Sequence, residues 1–162
     1  MTATLSIITL SVAALLLGMA LVLAFFPRVP VAVLSFSAMF VASLSGMVAF
    51  TVWQMCFWAV ATVIASFIAW MDNSCRSRAE HTYIVCGALV GAVLGLAIGS
   101  EAAVIMAAAA GGFLGFEAFR RTPSGRNSMP LASNLNAFAA VCLPAVVNFS
   151  ILMLIFAQLI KK

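Results

Sequence analysis

Long apolar runs separated by short polar breaks dominate the chain. The first runs from Leu5 to Phe26 and closes at Pro27-Arg28. Pro27 cannot continue a helical hydrogen-bond ladder, whereas Pro30 suits the first turn of a following helix. From Val31 to Met71 there is no charged residue, about twice the ~20 residues that one helix needs to cross a ~30 Å hydrocarbon core. Two helices joined by a tight turn between Ser43 and Gln54 fit this stretch. We place the turn at Phe50-Thr51, because Trp53 and Trp70 then mark the two interfaces. Their separation spans about 26 Å at ~1.5 Å per residue, close to the spacing of membrane aromatic belts.

The second half has shorter runs and clearer punctuation. Asp72 to Thr82 is polar, and Ser77-Arg78-Ala79-Glu80 has the form of a capping box, in which hydroxyl and carboxylate satisfy each other's backbone N–H groups. At Gly99-Ser100-Glu101 the glycine ends one helix, Ser100 caps the next, and Glu101 puts negative charge at a helix N-terminus. Arg120 to Ser133, with Pro123, Gly125 and Pro130, is the longest polar connection. The last run, Leu135 to Ile160, contains Pro144 and exceeds one straight crossing, which predicts a kink or tilt.

The pattern predicts an all-α polytopic integral membrane helical bundle. It forms a single transmembrane domain over residues 1–162, with six transmembrane helices at about 5–26, 31–50, 52–71, 78–99, 102–119 and 135–160. The first run reads as a retained helix rather than a signal peptide. It lacks a basic n-region, is longer than the usual ~7–15 residue apolar segment, and ends without a small-residue cleavage motif.

Composition sharpens the membrane reading. The chain is 65% hydrophobic and 7% charged, with a mean hydropathy of +1.22, far from the ~45–50% apolar and ~25% charged of soluble domains. The net charge of +4 lies in the breaks, not in a basic patch with interleaved aromatics, so nucleic acid is not an expected partner. Arg28, Arg76, Arg78, Arg120, Arg121 and Arg126 all fall in odd-numbered loops and none in even ones. The positive-inside rule then puts the odd loops in the cytoplasm and both termini outside, although Lys161 and Lys162 weigh the other way. Cys56, Cys75, Cys86 and Cys142 form no CxxC pair and have no ligand-spaced His, so neither a metal site nor a disulfide framework is indicated.

Gly87, Gly91, Gly95 and Gly99 recur every four residues on helix four, and Ala103, Ala107, Gly111 and Gly115 do so on helix five. Small residues on one stripe let helix backbones approach closely in lipid. The two stripes face each other in a glycine-zipper hairpin, or one of them faces another protomer. The segments Gly87-Ala88-Leu89-Val90-Gly91-Ala92-Val93-Leu94-Gly95-Leu96 and Ala110-Gly111-Gly112-Phe113-Leu114-Gly115-Phe116-Glu117 resemble the zipper hairpin of a family of small bacterial inner-membrane proteins of no established activity. The order of earlier elements is similar, though the family's Leu-Pro-Gly-Pro break and longer basic loop are missing here. The resemblance implies a bacterial inner-membrane protein and supplies no mechanism.

Two polar residues are candidates for an ion or solute site. Glu117 is a carboxylate beside the glycine stripe, which marks a functional candidate in a membrane; its structural alternative is an ion pair with Arg120 or Arg121 at i+3 or i+4. Asn148 lies four residues after Pro144, which frees the Ala140 carbonyl, and a mid-membrane amide must find a partner. It serves as an interhelical hydrogen bond, or as a hinge or substrate contact. His81 beside Glu80 reads as a solvated juxtamembrane residue. There is no Ser/His/Asp set, HExxH or phosphate loop, so an enzyme is not expected, and no cofactor is implied. The favoured reading is a non-catalytic membrane protein, a homo-oligomer or an accessory or scaffold subunit, whose partners are membrane lipids and itself or another membrane protein. The alternative is a small-solute or ion transporter or channel with Glu117 and Asn148 in its polar core.

Overall fold

Apolar sequences become helices in lipid, because each helix satisfies its own backbone hydrogen bonds where no water can. The computed structural model describes residues 3–26, 29–46, 48–71, 78–126 and 131–160. Its elements are α1 (Ala3–Leu23), α2 (Val31–Leu44), α3 (Val52–Met71), α4 (Arg78–Ile98), α5 (Glu101–Arg120), the single turn α6 (Pro123–Arg126) and α7 (Leu131–Ile160). The described residues contain no strand. Five of the helices, α1, α3, α4, α5 and α7, are long and apolar enough to cross a membrane, so the chain is an all-α helical bundle of membrane-spanning character. Pro27, Arg28, Asp72, Cys75, Arg76, Pro130, Lys161 and Lys162 lie outside the described residues, as does the capping-box residue Ser77.

The second predicted span needs correcting. It does not run to position 50 but ends at Leu44, and its 14 residues rise only about 21 Å at ~1.5 Å each. The serines at its C-terminal end explain why. Ser43 Oγ donates to the Phe40 carbonyl at 2.6 Å and Ser45 Oγ to that of Ala42 at 2.6 Å. Gly46 then takes a left-handed φ of 69°, a conformation that ends helices and that glycine tolerates best. The tight turn expected at Phe50-Thr51 is therefore a connection over 45–51. Within it Ser45 and Val48 are buried, each 2% exposed, whereas Gly46, Ala49 and Thr51 are exposed.

Burial identifies α7 as the central helix. Every residue from Ala145 to Ile151 is buried, nearly two turns at ~3.6 residues per turn, so no face of this stretch looks outward. It packs against α2, α3, α4 and α5 and touches α1. By contrast α1 and α3 present large apolar side chains outward, among them Leu15, Val22, Trp53, Phe57, Ile64 and Trp70. Water cannot solvate so large an apolar area, whereas hydrocarbon can.

The closest packing is between α4 and α5, whose small-residue stripes face each other inside the hairpin. A Cβ added at Gly95 would lie 2.6 Å from Val104 Cα and 2.7 Å from the Ala103 carbonyl oxygen. One added at Gly87 would collide with the Gly111 carbonyl, at Gly91 with that of Ala107, and at Gly115 with that of Tyr83. Gly99 is different: it has nothing within 4 Å and a φ of 81°, so it terminates α4 instead of extending the stripe. Gly112 meets α7 instead, where an added Cβ would lie 2.8 Å from Cys142 Sγ.

The packing generates a stability prediction. Gly95→Leu should force the two backbones apart and cost about 1–3 kcal/mol or more, read as a lower midpoint of thermal unfolding in detergent. Gly18 on α1 has no atom within 4 Å of an added Cβ, and leucine is the better helix former by up to ~1 kcal/mol. Gly18→Leu should be neutral or slightly stabilising, and equal losses at the two positions would contradict the close-packed hairpin.

Candidate functional site

Buried hydroxyl and amide groups mark the interior. Ser35 on α2 and Asn148 on α7 are both fully buried, and the Ser35 hydroxyl donates to Asn148 Oδ1 while also lying 3.1 Å from the Val31 carbonyl oxygen. One hydroxyl proton serves one acceptor fully at a time, so the Ser35 side chain is shared between its own helix and α7. The Asn148 Nδ2 has no hydrogen-bond partner, and neither do Thr62 Oγ1, Ser66 Oγ and Ser150 Oγ. Thr62 shares a face of α3 with Trp58 and Ala65, both packed in one cluster with Val147, Ile151 and Leu154 of α7. These buried groups are all uncharged.

A second set of polar groups ties helix ends together. Thr51 and Gln54 form a capping box at the start of α3. The Thr51 N–H donates to Gln54 Oε1 at 3.0 Å, and the Gln54 N–H to Thr51 Oγ1 at 3.3 Å. With its oxygen so engaged, the Gln54 amide turns its NH2 outward and donates to Glu101 Oε1 at 2.6 Å. Glu101 begins α5, where Ser100 caps the helix by accepting the Ala103 N–H at 3.1 Å. The starts of α3 and α5 therefore lie level at one end of the bundle.

At the opposite end His81 contradicts its solvated reading. It is 9% exposed, and its Nε2 lies 2.8 Å from the Ala24 carbonyl oxygen. A carbonyl only accepts, so this nitrogen carries a proton. The bond satisfies one of the orphan carbonyls beyond the C-terminus of α1, drawing His81 off the polar loop and into the bundle. Arg78, Arg120, Arg121 and Arg126 cluster towards this same end, since Tyr83 and Phe119 bring the start of α4 and the end of α5 together with ring centroids 5.8 Å apart.

A cavity of about 240 Å³ opens between α3, the α4–α5 turn and the end of α7. Trp58, Leu96 and Leu154 line its apolar wall, Glu101 and Gln158 line its polar part, and Ser150 borders it deeper along α7. Comparison with protein-family models, curated proteins and solved structures finds no match for this chain. Its chemistry therefore has to be read from these side chains alone.

The two sequence candidates do not meet. Glu117 lies in the last turn of α5 and accepts from Arg120 Nη1 at 3.0 Å, with the two side chains 35% and 39% exposed. Arg120 also covers the Phe116 ring, its guanidinium carbon 5.9 Å from the centroid. Phe116 in turn packs on Phe138 of α7 at 5.3 Å, and Asn148 is ten residues beyond Phe138, about 15 Å along the helix at ~1.5 Å per residue. The groups missed in the sequence are Ser35, Gln54, Thr62, Ser66, Ser150, Gln158 and the Glu101 tie. Thr51-x-x-Gln54 was a readable capping signal; the serines and Thr62 carry no local signature.

Two substitutions test these assignments. Ser35→Ala should cost about 1–3 kcal/mol by leaving the Asn148 amide wholly unpartnered, and adding Asn148→Leu should recover part of that loss, so that the double variant is more stable than the sum of the singles. Strict additivity in unfolding midpoints would disprove the bond. Glu117→Gln should cost about 1 kcal/mol or less, as expected for a partly exposed ion pair.

Proposed function

We propose that this chain is a non-catalytic integral membrane protein that works as an accessory or scaffold subunit, as a homo-oligomer or beside another membrane protein. One observation carries the reading. The buried polar groups of the described interior are neutral hydroxyls and amides, with His81 bonded to backbone at its edge, while Glu80, Glu101, Glu117 and the described arginines stand at helix ends. A proton relay through side chains needs titratable groups along its path. The described residues also hold no group of three or more His, Cys, Asp or Glu that could bind a metal.

The α4–α5 hairpin is read as a glycine zipper, in keeping with the family resemblance, and the same resemblance supports a bacterial inner membrane. Because the zipper stripe is occupied within the hairpin, an oligomer would form through the outer faces of α1 and α3. The arginine count supports cytoplasmic odd loops, with Arg121 inside and Glu101 outside.

Native mass spectrometry after extraction in a gentle detergent tests the role. A stable homo-oligomer or a stoichiometric membrane partner is expected, together with no ion or solute flux in proteoliposomes. A monomer that catalyses flux would replace this reading with a transporter. Labelling of single cysteines at positions 101 and 121, in a background free of the native cysteines, should reach opposite faces of the membrane.

A further inference from the structure

The cavity beside the α4–α5 turn has an asymmetric chemistry that packing does not require. Its wall is apolar, with Trp58, Leu96 and Leu154, and among the described residues its one charged lining residue is Glu101. Glu101 accepts from the neutral Gln54 amide, and no lysine or arginine among the described residues forms an ion pair with it. Gln54 is one helical turn before Trp58, so the indole lies one turn in from the carboxylate along α3.

A second, independent observation comes from Ser150. It borders the same cavity, is 2% exposed, and its hydroxyl has no hydrogen-bond partner. A helical serine or threonine has a ready acceptor in the carbonyl four residues back. In this chain Thr9, Ser11, Ser35, Ser37 and Thr82 all use it. Ser150, like Thr62 and Ser66, does not, but of these three Ser150 alone lines the cavity, where a bound polar atom would remove the cost of an unpartnered hydroxyl.

We propose that this cavity is a binding site for a small organic ammonium amphiphile. The cationic head sits against Glu101 and the Trp58 indole, whose π face suits a quaternary ammonium. The apolar body lies along Leu96 and Leu154, and a hydroxyl or carbonyl oxygen at its far end accepts from the Ser150 hydroxyl. The site is independent of the accessory role and would stand if that role failed.

The test uses Trp58 as reporter in a variant with Trp53→Phe and Trp70→Phe, since the chain has three tryptophans. The protein in neutral-lipid nanodiscs is titrated with (6-hydroxyhexyl)trimethylammonium, hexane-1,6-diol and 6-hydroxyhexyl sulfate while Trp58 fluorescence is followed. The ammonium should give a saturable change and bind more tightly than the other two. Glu101→Gln keeps an acceptor for Gln54 and should weaken the ammonium roughly tenfold, the size of one charge-assisted contact. Glu101→Lys should reverse the preference towards the sulfate, and Val104→Phe, which fills the cavity, should abolish the response. The proposal is overturned if ammonium and sulfate respond alike, or if the change never saturates and ignores the Glu101 variants. Either result would mean partition into the bilayer only.

Discussion

Backbone-to-backbone contact between α4 and α5 is the constraint on which the architecture rests. Gly87 points its bare Cα at the carbonyl of Gly111, and Gly111 points its own at that of Gly87. In water such a contact would be a small addition to apolar burial. In lipid, where apolar surface has no drive to leave its solvent, close contact area and weak Cα–H···O interactions are what hold helices together. The stripe keeps the pair in contact from Tyr83 and Gly115 at one end to Gly95 and Val104 at the other. The result is a slab whose other face, carrying Ile84, Ala88 and Ala108, packs into one core cluster with Val141, Cys142 and Phe149 of α7.

Around that slab the polar groups divide by depth. The bundle ends carry directional ties, His81 to the Ala24 carbonyl and Gln54 to Glu101, which join helices distant in sequence. Between them, among the described residues, lie only neutral polar groups. The Ser35–Asn148 bond joins α2 to α7 where both are fully buried, so the short α2 gains a specific attachment that its limited apolar surface would not provide alone.

What could be read from the chain was whatever repeats or punctuates. Four-residue glycine spacing on α4 and α5 pointed to close helix contact, and Gly99-Ser100-Glu101 marked a real boundary with Ser100 as cap. Wherever the answer depended on a distant partner, reading the chain locally failed. His81 beside Glu80 looks like loop chemistry until the end of α1 comes within hydrogen-bonding range. The apolar run over 31–50 looked like a full span because its residues suit lipid throughout. Ser43, Ser45 and Gly46, which end α2, are too common in membrane helices to stand out. Gly112, one position off the stripe, had no visible purpose before α7 was placed against it. Glu117 drew attention as an intramembrane acid, whereas the carboxylate that borders a cavity is Glu101, read at first only as a helix-start residue.

The placement of α7 bears on how the molecule is made. It is the central helix, yet it follows every other spanning helix in chain order. Domains and segments emerge from the ribosome N-terminal first, so α1 to α5 enter the bilayer while the element that fills their middle is still being synthesised. Until α7 is in place Ser35 lacks Asn148 as its partner, and α2 and α3 lack the helix that both pack against. The α4–α5 hairpin needs no later partner for its contact, which makes it the natural first assembled unit. The insertion of α7 then converts a loose set of membrane helices into a bundle with a defined interior.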